Sequence, residues 1–87
     1  MNILKNKVAL ITGGSKGIGY GMAQALLNEG IHVAITSRNE VSAKEAANNL
    51  NSNSKTGAKA IGIQADVRDY KSQQKAVKTV LETFKQL

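Results

Sequence analysis

The chain has no cysteine, no proline and no tryptophan, and these absences exclude several kinds of site. Without cysteine there is no disulfide and no thiolate metal site, and one histidine, His32, is too few for a zinc centre. The N-terminal MNILKNK has no apolar stretch of signal-peptide length, and no segment approaches the roughly 20 apolar residues of a membrane span. We therefore expect no metal, no membrane partner and a cytoplasmic location.

The charge of the chain is basic, with twelve Lys and Arg against six Asp and Glu and a net charge of +6. Such a balance is typical of nucleic-acid-binding proteins. The cations, however, are scattered from Lys5 to Lys85 without a run of adjacent basic residues, and almost no aromatic residues are present to stack bases. We expect no nucleic-acid partner, and a general attraction for anionic ligands.

The 87 residues are enough for one small domain, residues 1–87, in which strand-like and helix-like segments alternate. The predicted order is a strand over Lys7–Thr12, a helix over Gly17–Glu29, a strand over Ile31–Thr36, a helix over Glu40–Leu50, a strand over Ala58–Ala65, and a third helix capped by Asp69. Gly30 is predicted to end the first helix, and NNLNSNSKTG to break the second. This order predicts βαβ units and an α/β fold with a parallel sheet.

Helical spacing also predicts which face of each helix is buried. The predicted faces are Ile18, Met22, Ala25 and Leu26 in the first helix, Val41, Ala43, Ala47 and Leu50 in the second, and Gln73, Val77, Val80, Leu81 and Phe84 in the third.

The stretch LITGGSKGIG places four glycines within seven positions, between the first strand and the first helix. A phosphate at a helix N-terminus meets unpaired N–H groups and the positive end of the helix dipole. Glycine removes the Cβ atoms that would hold the anion away or push the helix off the strand, and it permits positive φ. Gly13, Gly17 and Gly19 suit that role. The spacing is neither G-x-G-x-x-G nor a P-loop, because Met22 stands three residues after Gly19 and no Gly-Lys-Ser/Thr closes the run.

The segment Thr12-Gly13-x-x-x-Gly17-x-Gly19 resembles the cofactor loop T-G-x-x-x-G-x-G of the short-chain dehydrogenase/reductase family. TGGSKGIG is similar to members that reduce carbonyls with NADPH, such as the β-ketoacyl carrier-protein reductases. The resemblance implies a Rossmann-type three-layer βαβαβα arrangement with a parallel sheet, the first half of a doubly wound fold. It also implies that the dinucleotide cofactor is bound by Gly13, Ser15, Lys16, Gly17, Ile18 and Gly19. An ordinary glycine-rich turn is the alternative.

The end of the second strand bears on the choice between NAD and NADP. Ser37 stands where NAD-preferring relatives carry an acid that bonds the ribose 2′-hydroxyl, and Arg38 follows it. A guanidinium binds a 2′-phosphate with two charge-assisted hydrogen bonds, and Lys16 is a second cation. We therefore expect NADP(H) in preference to NAD(H), with Ser37, Arg38 and Asn39 in the adenosine site. The alternatives are a solvated Arg38, and Glu40 as a ribose ligand rather than a helix-start residue.

After the third strand, Asp66 and Val67 resemble the family's D-V pair. The resemblance implies that the Asp66 side chain bonds the adenine amino group and that the Val67 amide meets the ring. A simple turn residue is the alternative for Asp66. His32, inside the second strand, is expected to be packed or half-exposed rather than a ligand.

The catalytic groups of the family are missing. Its usual acid is a tyrosine with a lysine four residues later, but Gln24 follows Tyr20 at that spacing and Gln74 follows Tyr70. The N-A-G segment after a fourth strand is also absent. We expect the NADP(H)-binding part of an oxidoreductase that transfers hydride between nicotinamide and a carbonyl or alcohol, with no catalytic residue in this chain. A small-molecule substrate then requires the missing C-terminal part. A truncated, non-catalytic nucleotide-binding or self-associating module is the alternative.

Only three strands are predicted, so we expect an unpaired edge on the first strand and no fourth strand for the third helix to pack against. Such a chain is expected to be marginally stable, to form a homo-oligomer, or to be completed by another segment.

Overall fold

The computed structural model describes residues 2–4, 8–13, 17–66 and 68–84, the first of these ranges by its backbone alone. The elements are β1 (Asn2–Leu4), β2 (Val8–Thr12), α1 (Gly17–Asn28), β3 (His32–Ser37), α2 (Glu40–Asn53), β4 (Ala60–Gln64) and α3 (Tyr70–Thr83). The three predicted strands are β2, β3 and β4, which are adjacent in that order and parallel. The α/β class with a parallel sheet is confirmed.

Two apolar cores lie on opposite faces of this sheet, because strands covered on both sides direct apolar residues to both. The first core contains Ile11, Val33 and Ile35 of the sheet with Ala23 and Leu27 of α1 and Ala46, Ala47 and Leu50 of α2. The second contains Val8, Leu10 and Ala34 with Val80 and Phe84 at the end of α3. The sheet is therefore the middle of three layers, with α1 and α2 on one face and α3 on the other.

The buried helix faces differ in part from the predicted ones. Ile18 is 85% exposed, Val41 62% and Leu81 41%, although all three were expected in the core. Ala25 is also exposed, and Gln73 is half-buried. The buried helical positions are Ala23, Leu27, Ala43, Ala46, Ala47, Leu50, Ala76 and Val80. Alanine lets a helix backbone lie close to the sheet, so the alanine-lined face is turned inward while larger apolar residues beside it stay outside.

The polar end of α2 continues the helix instead of breaking it after Leu50. Ser52 Oγ donates to the Asn48 carbonyl at 3.0 Å, and Asn53 Nδ2 donates to the Asn49 carbonyl at 3.0 Å. These side chains bond back four residues along the helix, and so they do not draw the backbone into a turn. The helix ends at Asn53.

Helix α2 contacts β4 closely at two points. A Cβ added to Gly62 would lie 2.9 Å from the Lys44 backbone nitrogen and closer still to the Ala43 carbonyl group, so only glycine fits there. Farther along α2, Asn51 Oδ1 accepts from the Ala60 N–H at 2.7 Å and Asn51 Nδ2 donates to the Ala60 carbonyl at 2.9 Å. The Asn51 amide thus pairs with β4 as a neighbouring strand would, on the edge that β3 does not occupy.

The strand β1 was not predicted. It pairs antiparallel with β2, with Asn2 opposite Leu10 and Leu4 opposite Val8. The expectation that β2 has an unpaired edge is therefore wrong, and the sheet has the order β1-β2-β3-β4. The buried face of α3 is also covered without a further strand, because Val80 and Phe84 pack with residues of β2 and β3. Within the described ranges, none of the helices combines the length and apolar character that crossing a membrane requires.

Candidate functional site

The carboxyl ends of β2, β3 and β4 lie at one edge of the sheet, which is where open α/β sheets bind ligands. The register places Thr12 opposite Thr36 and Ser37 opposite Gln64. The pairing continues past β4, since the Ala65 N–H donates to the Ser37 carbonyl at 2.9 Å. The segments that begin with Gly13, Arg38 and Asp66 therefore leave neighbouring strands at the same edge.

The glycine loop has left-handed backbone at two of its predicted positions. Gly13 has φ +69° and Gly17, the first residue of α1, has φ +68°, which residues with a side chain rarely adopt. An added Cβ would meet nothing within 4 Å at either position. The expectation that a Cβ pushes the helix off the strand is thus wrong at Gly17, where glycine is needed for its conformation. Ile18 and Gly19 lie in the first turn of α1, whose first N–H groups have no partner within the helix.

Two of the predicted loop residues, Ser15 and Lys16, lie outside the described residues. The same holds for Val67 at the end of the third predicted strand.

A buried hydroxyl fixes the start of the glycine loop. The Gly13 N–H donates to Thr36 Oγ1 at 3.3 Å, and Thr36 is completely buried near the end of β3. Thr36 thereby ties Gly13 to the neighbouring strand and orients the first peptide of the loop. This role was not predicted from the sequence. Its only signal was a single threonine near the end of the apolar segment IHVAIT.

The predicted adenosine-site residues after β3 have different local roles. Ser37 Oγ accepts from the Asn39 N–H at 3.2 Å, and Asn39 Oδ1 caps α2 by accepting from the Ser42 N–H at 3.1 Å. Gln64 Nε2 donates to the Arg38 carbonyl at 3.1 Å and so fixes the Arg38 backbone against β4. Among the described residues, none accepts a hydrogen bond from the Arg38 guanidinium. Glu40 is the first residue of α2, as expected, and it pairs with Lys44 at 3.2 Å.

Asp66 is held by Arg68, two residues later. Its Oδ1 accepts from the Arg68 backbone N–H at 2.9 Å and from Arg68 Nε at 3.2 Å, while its Oδ2 accepts from an Arg68 terminal nitrogen at 3.1 Å. The side-chain hydrogen bonds from Arg68, followed by the backbone one, hold the pKa of the Asp66 carboxyl below its usual range. Arg38 adds a smaller electrostatic contribution in the same direction.

The N-terminus of α3 is fixed beside this pair. Asp69 Oδ1 accepts from the Lys71 and Ser72 N–H groups at 3.0 and 3.4 Å, which confirms it as the helix cap. Ser72 Oγ accepts in turn from the Asp66 N–H at 3.0 Å. The backbone of Asp66 is therefore attached to the first turn of α3, and its carboxylate has a defined position.

A cavity of about 490 Å³ lies between the end of β4 and α3. Its charged lining residues are Arg38, Lys71 and Lys75 with Asp66 and Asp69. Three cations against two carboxylates favour an anionic ligand. Within the described ranges, no three His, Cys, Asp or Glu side chains lie together as metal ligands would.

His32 has a structural environment, as expected. Its Nδ1 accepts from the Lys59 N–H at 2.9 Å, and its ring stacks on Phe84 with centroids 4.9 Å apart. It begins β3, at the end of the strands opposite the glycine loop. At the N-terminus of α3, the Tyr70 hydroxyl accepts from Gln74 Nε2 at 3.3 Å. Gln74 thus stands four residues after Tyr70, where the resemblance to the family calls for a lysine.

A family model for short chain dehydrogenase matches residues 7–87. The chain belongs to the short chain dehydrogenase family. The resemblance drawn from the glycine spacing is confirmed.

Alignments with individual members of the family cover most of this chain. A peroxisomal 2,4-dienoyl-CoA reductase of Danio rerio is 39% identical over 83 residues, which are 95% of this chain and 27% of that protein. A 3-oxoacyl-acyl-carrier-protein reductase of Chlamydia muridarum is 42% identical over 66 residues, or 76% of this chain and 26% of that protein. The chain thus spans about a quarter of the length of these relatives.

The fold also matches the crystal structure of a member of this family. The crystal structure of L-sorbose reductase from Gluconobacter frateurii, complexed with NADPH and L-sorbose, superimposes with a TM-score of 0.82 and 32% sequence identity. The match covers 90% of this chain and 29% of that one. The Rossmann-type arrangement is thereby confirmed.

Proposed function

We propose that the chain forms the NADP(H)-binding portion of a short chain dehydrogenase that transfers hydride between a nicotinamide and a small carbonyl or alcohol substrate. The observation that carries the proposal is the left-handed backbone at Gly13, which follows β2, and at Gly17, the first residue of α1. The left-handed backbone at these two glycines and the Thr36 tether support a diphosphate bound at the N-terminus of α1.

The choice of NADP over NAD depends on Arg38. The Gln64 side chain fixes its backbone at the sheet edge, its guanidinium is not engaged by the described residues, and the preceding residue is serine rather than an acid. A guanidinium in this position would bind a ribose 2′-phosphate bidentately. Lys16 would add a second cation. The NADPH in the crystal structure of L-sorbose reductase supports the same choice.

The residues of this chain would bind and orient the cofactor and would not carry out the chemistry. NADPH, when bound, supplies the hydride, while the Ser, Tyr and Lys that act on the carbonyl in this family have no counterpart at Tyr20 or Tyr70. We therefore expect no turnover of any carbonyl substrate by this chain alone. The self-associating alternative loses its main support, because β1 covers the edge of β2 on which it depended. A homo-oligomer and a cytoplasmic location stay predictions.

A nucleotide titration tests the proposal. We expect the chain to bind 2′,5′-ADP about tenfold to a hundredfold more tightly than 5′-AMP, because the 2′-phosphate accepts charged hydrogen bonds from Arg38. Arg38→Ala should abolish most of that preference. Lys59→Ala is the matched control, since it removes an exposed cation just before β4, at the opposite end of the sheet. Equal affinity for the two nucleotides, or a preference that survives Arg38→Ala, would show that the NADP assignment is wrong.

A further inference from the structure

We propose that Arg68 is a positioning residue for base recognition: it holds the Asp66 carboxylate so that one oxygen stays available for an adenine amino group. The inference rests on the proposed function, because it assigns a role within the same adenosine site. No sequence motif singled out Arg68. The geometry alone identifies it.

The hydrogen bonds divide the two carboxylate oxygens into unequal acceptors. Asp66 Oδ1 receives two donors, the Arg68 backbone N–H at 2.9 Å and Arg68 Nε at 3.2 Å. A carboxylate oxygen has two lone pairs, so Oδ1 is saturated. Asp66 Oδ2 receives only the Arg68 terminal nitrogen, at 3.1 Å, from the described residues. One lone pair therefore remains on Oδ2.

The carboxylate is also prevented from rotating away. The Arg68 side chain engages both oxygens at once, which fixes the plane of the carboxylate as a single hydrogen bond would not. The Asp66 N–H is bonded to Ser72, and the Asp66 carbonyl accepts from the Asp69 N–H at 3.0 Å. Because the backbone and the side chain are both fixed, the free lone pair of Oδ2 accepts a hydrogen bond from one direction.

The Asp66 side chain is 36% exposed and lines the cavity between β4 and α3, so a ligand can reach it. Arg38, which we propose as the 2′-phosphate ligand, lines the same cavity. An acceptor-only group next to a 2′-phosphate site selects a base that presents an N–H₂ group there. The 6-amino group of adenine is such a donor.

The charge state of Asp66 depends on the same pair. The bonds from Arg68 lower the pKa of the carboxyl, so it stays an acceptor at acid pH. Removing the Arg68 side chain raises that pKa toward its ordinary value. Protonation on acidification then begins at a higher pH, and a protonated carboxyl no longer offers the same acceptor. The charged groups around Asp66 are Arg68, Arg38 and the cavity residues Asp69, Lys71 and Lys75, and the substitution alters only Arg68.

The test compares 2′,5′-ADP with purine riboside 2′,5′-bisphosphate, which lacks only the 6-amino group. We expect the wild-type chain to prefer the adenine nucleotide about tenfold, the effect of one hydrogen bond to a charged group. Arg68→Ala should lose most of that preference while keeping its affinity for the purine nucleotide. Arg68→Lys keeps the positive charge but not the pair of guanidinium hydrogen bonds to Asp66, so it should recover only part of the adenine preference. Lys59→Ala should behave as wild type.

The pH profile separates positioning from a merely structural effect. Titrations between about pH 3 and pH 6 should show adenine preference lost at higher pH in Arg68→Ala than in wild type, since Arg68 is the main cause that lowers the pKa of Asp66 from its ordinary value of 3.8. Protonation of the nucleotide itself is common to both proteins and cancels in the comparison. A preference and profile unchanged by Arg68→Ala would overturn the inference, as would an equal loss of affinity for both nucleotides. Absence of binding of either nucleotide to the wild-type chain would instead refute the proposed function, and the inference with it.

Discussion

Replacing Gly62 with alanine is expected to destabilise the fold, because it places a methyl group where α2 contacts β4. The new Cβ would lie 2.9 Å from the Lys44 nitrogen and nearer to the Ala43 carbonyl, against about 3.4 Å for the closest ordinary contact. Both obstacles are backbone atoms, which cannot move aside as a side chain does. Helix α2 must then withdraw from β4 by more than about half an ångström, because the Ala43 carbonyl lies closer to the new methyl group than the Lys44 nitrogen does.

The cost of that withdrawal is spread over the alanine face of α2. Ala43, Ala46 and Ala47 are each at most 5% exposed and have no longer side chain with which to fill a gap. We expect the free energy of unfolding to fall by about 1–3 kcal/mol, the usual cost of an inserted methyl group in a packed core. Because α2 begins at Glu40, the shift also moves the Arg38 segment, and 2′,5′-ADP should bind less tightly.

Gly21→Ala is the matched control. Gly21 lies within α1, an added Cβ there would meet nothing within 4 Å, and its backbone has no positive φ. Alanine should therefore stabilise the chain by up to about 1 kcal/mol through helix propensity. The assay is urea unfolding followed by circular dichroism, with the midpoint and slope compared for both variants and wild type. An unfolding midpoint for Gly62→Ala equal to or above that of wild type would refute the close α2–β4 contact.

Two further substitutions test contacts at the sheet edge. Thr36→Val removes the hydroxyl that accepts from the Gly13 N–H, so 2′,5′-ADP affinity should fall about fivefold, the effect of one hydrogen bond. Thr36→Ser keeps the hydroxyl and should restore the affinity. Equal titration curves for Thr36→Val and wild type would contradict the tether. Asp69→Ala removes the cap of α3 and should lower the free energy of unfolding in urea by about 1 kcal/mol. Asp69→Asn keeps an acceptor oxygen and should lower it little. An Asp69→Ala variant as stable as wild type would argue against the cap.

Local patterns predicted the order of β2, β3 and β4 and the helices between them, since strand and helix periodicity, the Gly30 helix end and the Asp69 cap act within a few residues. The buried faces were harder to predict. Hydropathy ranks Ile18 and Val41 above alanine, but the distance between helix and sheet favours the smaller residue, and that distance is set by tertiary packing. The strand β1 was missed because three residues carry too little pattern to indicate a strand.

The candidate site shows the same division. The glycine spacing, Arg38 and Asp66 were visible because a motif places them in sequence order. The contacts of Thr36 with Gly13, and of Gln64 with the Arg38 carbonyl, join residues 23 and 26 positions apart and depend on strand register. Sequence periodicity indicates that a strand forms, but it does not give the alignment with its neighbour. Arg68 is only two residues from Asp66, yet its fork geometry follows from the turn between them.

The strand β1 also has a consequence for how a larger sheet could form. In the doubly wound order 3-2-1-4-5-6, the next strand runs parallel to the first strand of the glycine motif, which is β2 here, and pairs with the edge that β1 occupies. An antiparallel and a parallel neighbour cannot share that edge. A full family sheet around this segment would therefore require that the antiparallel pairing of Asn2–Leu4 with β2 be displaced.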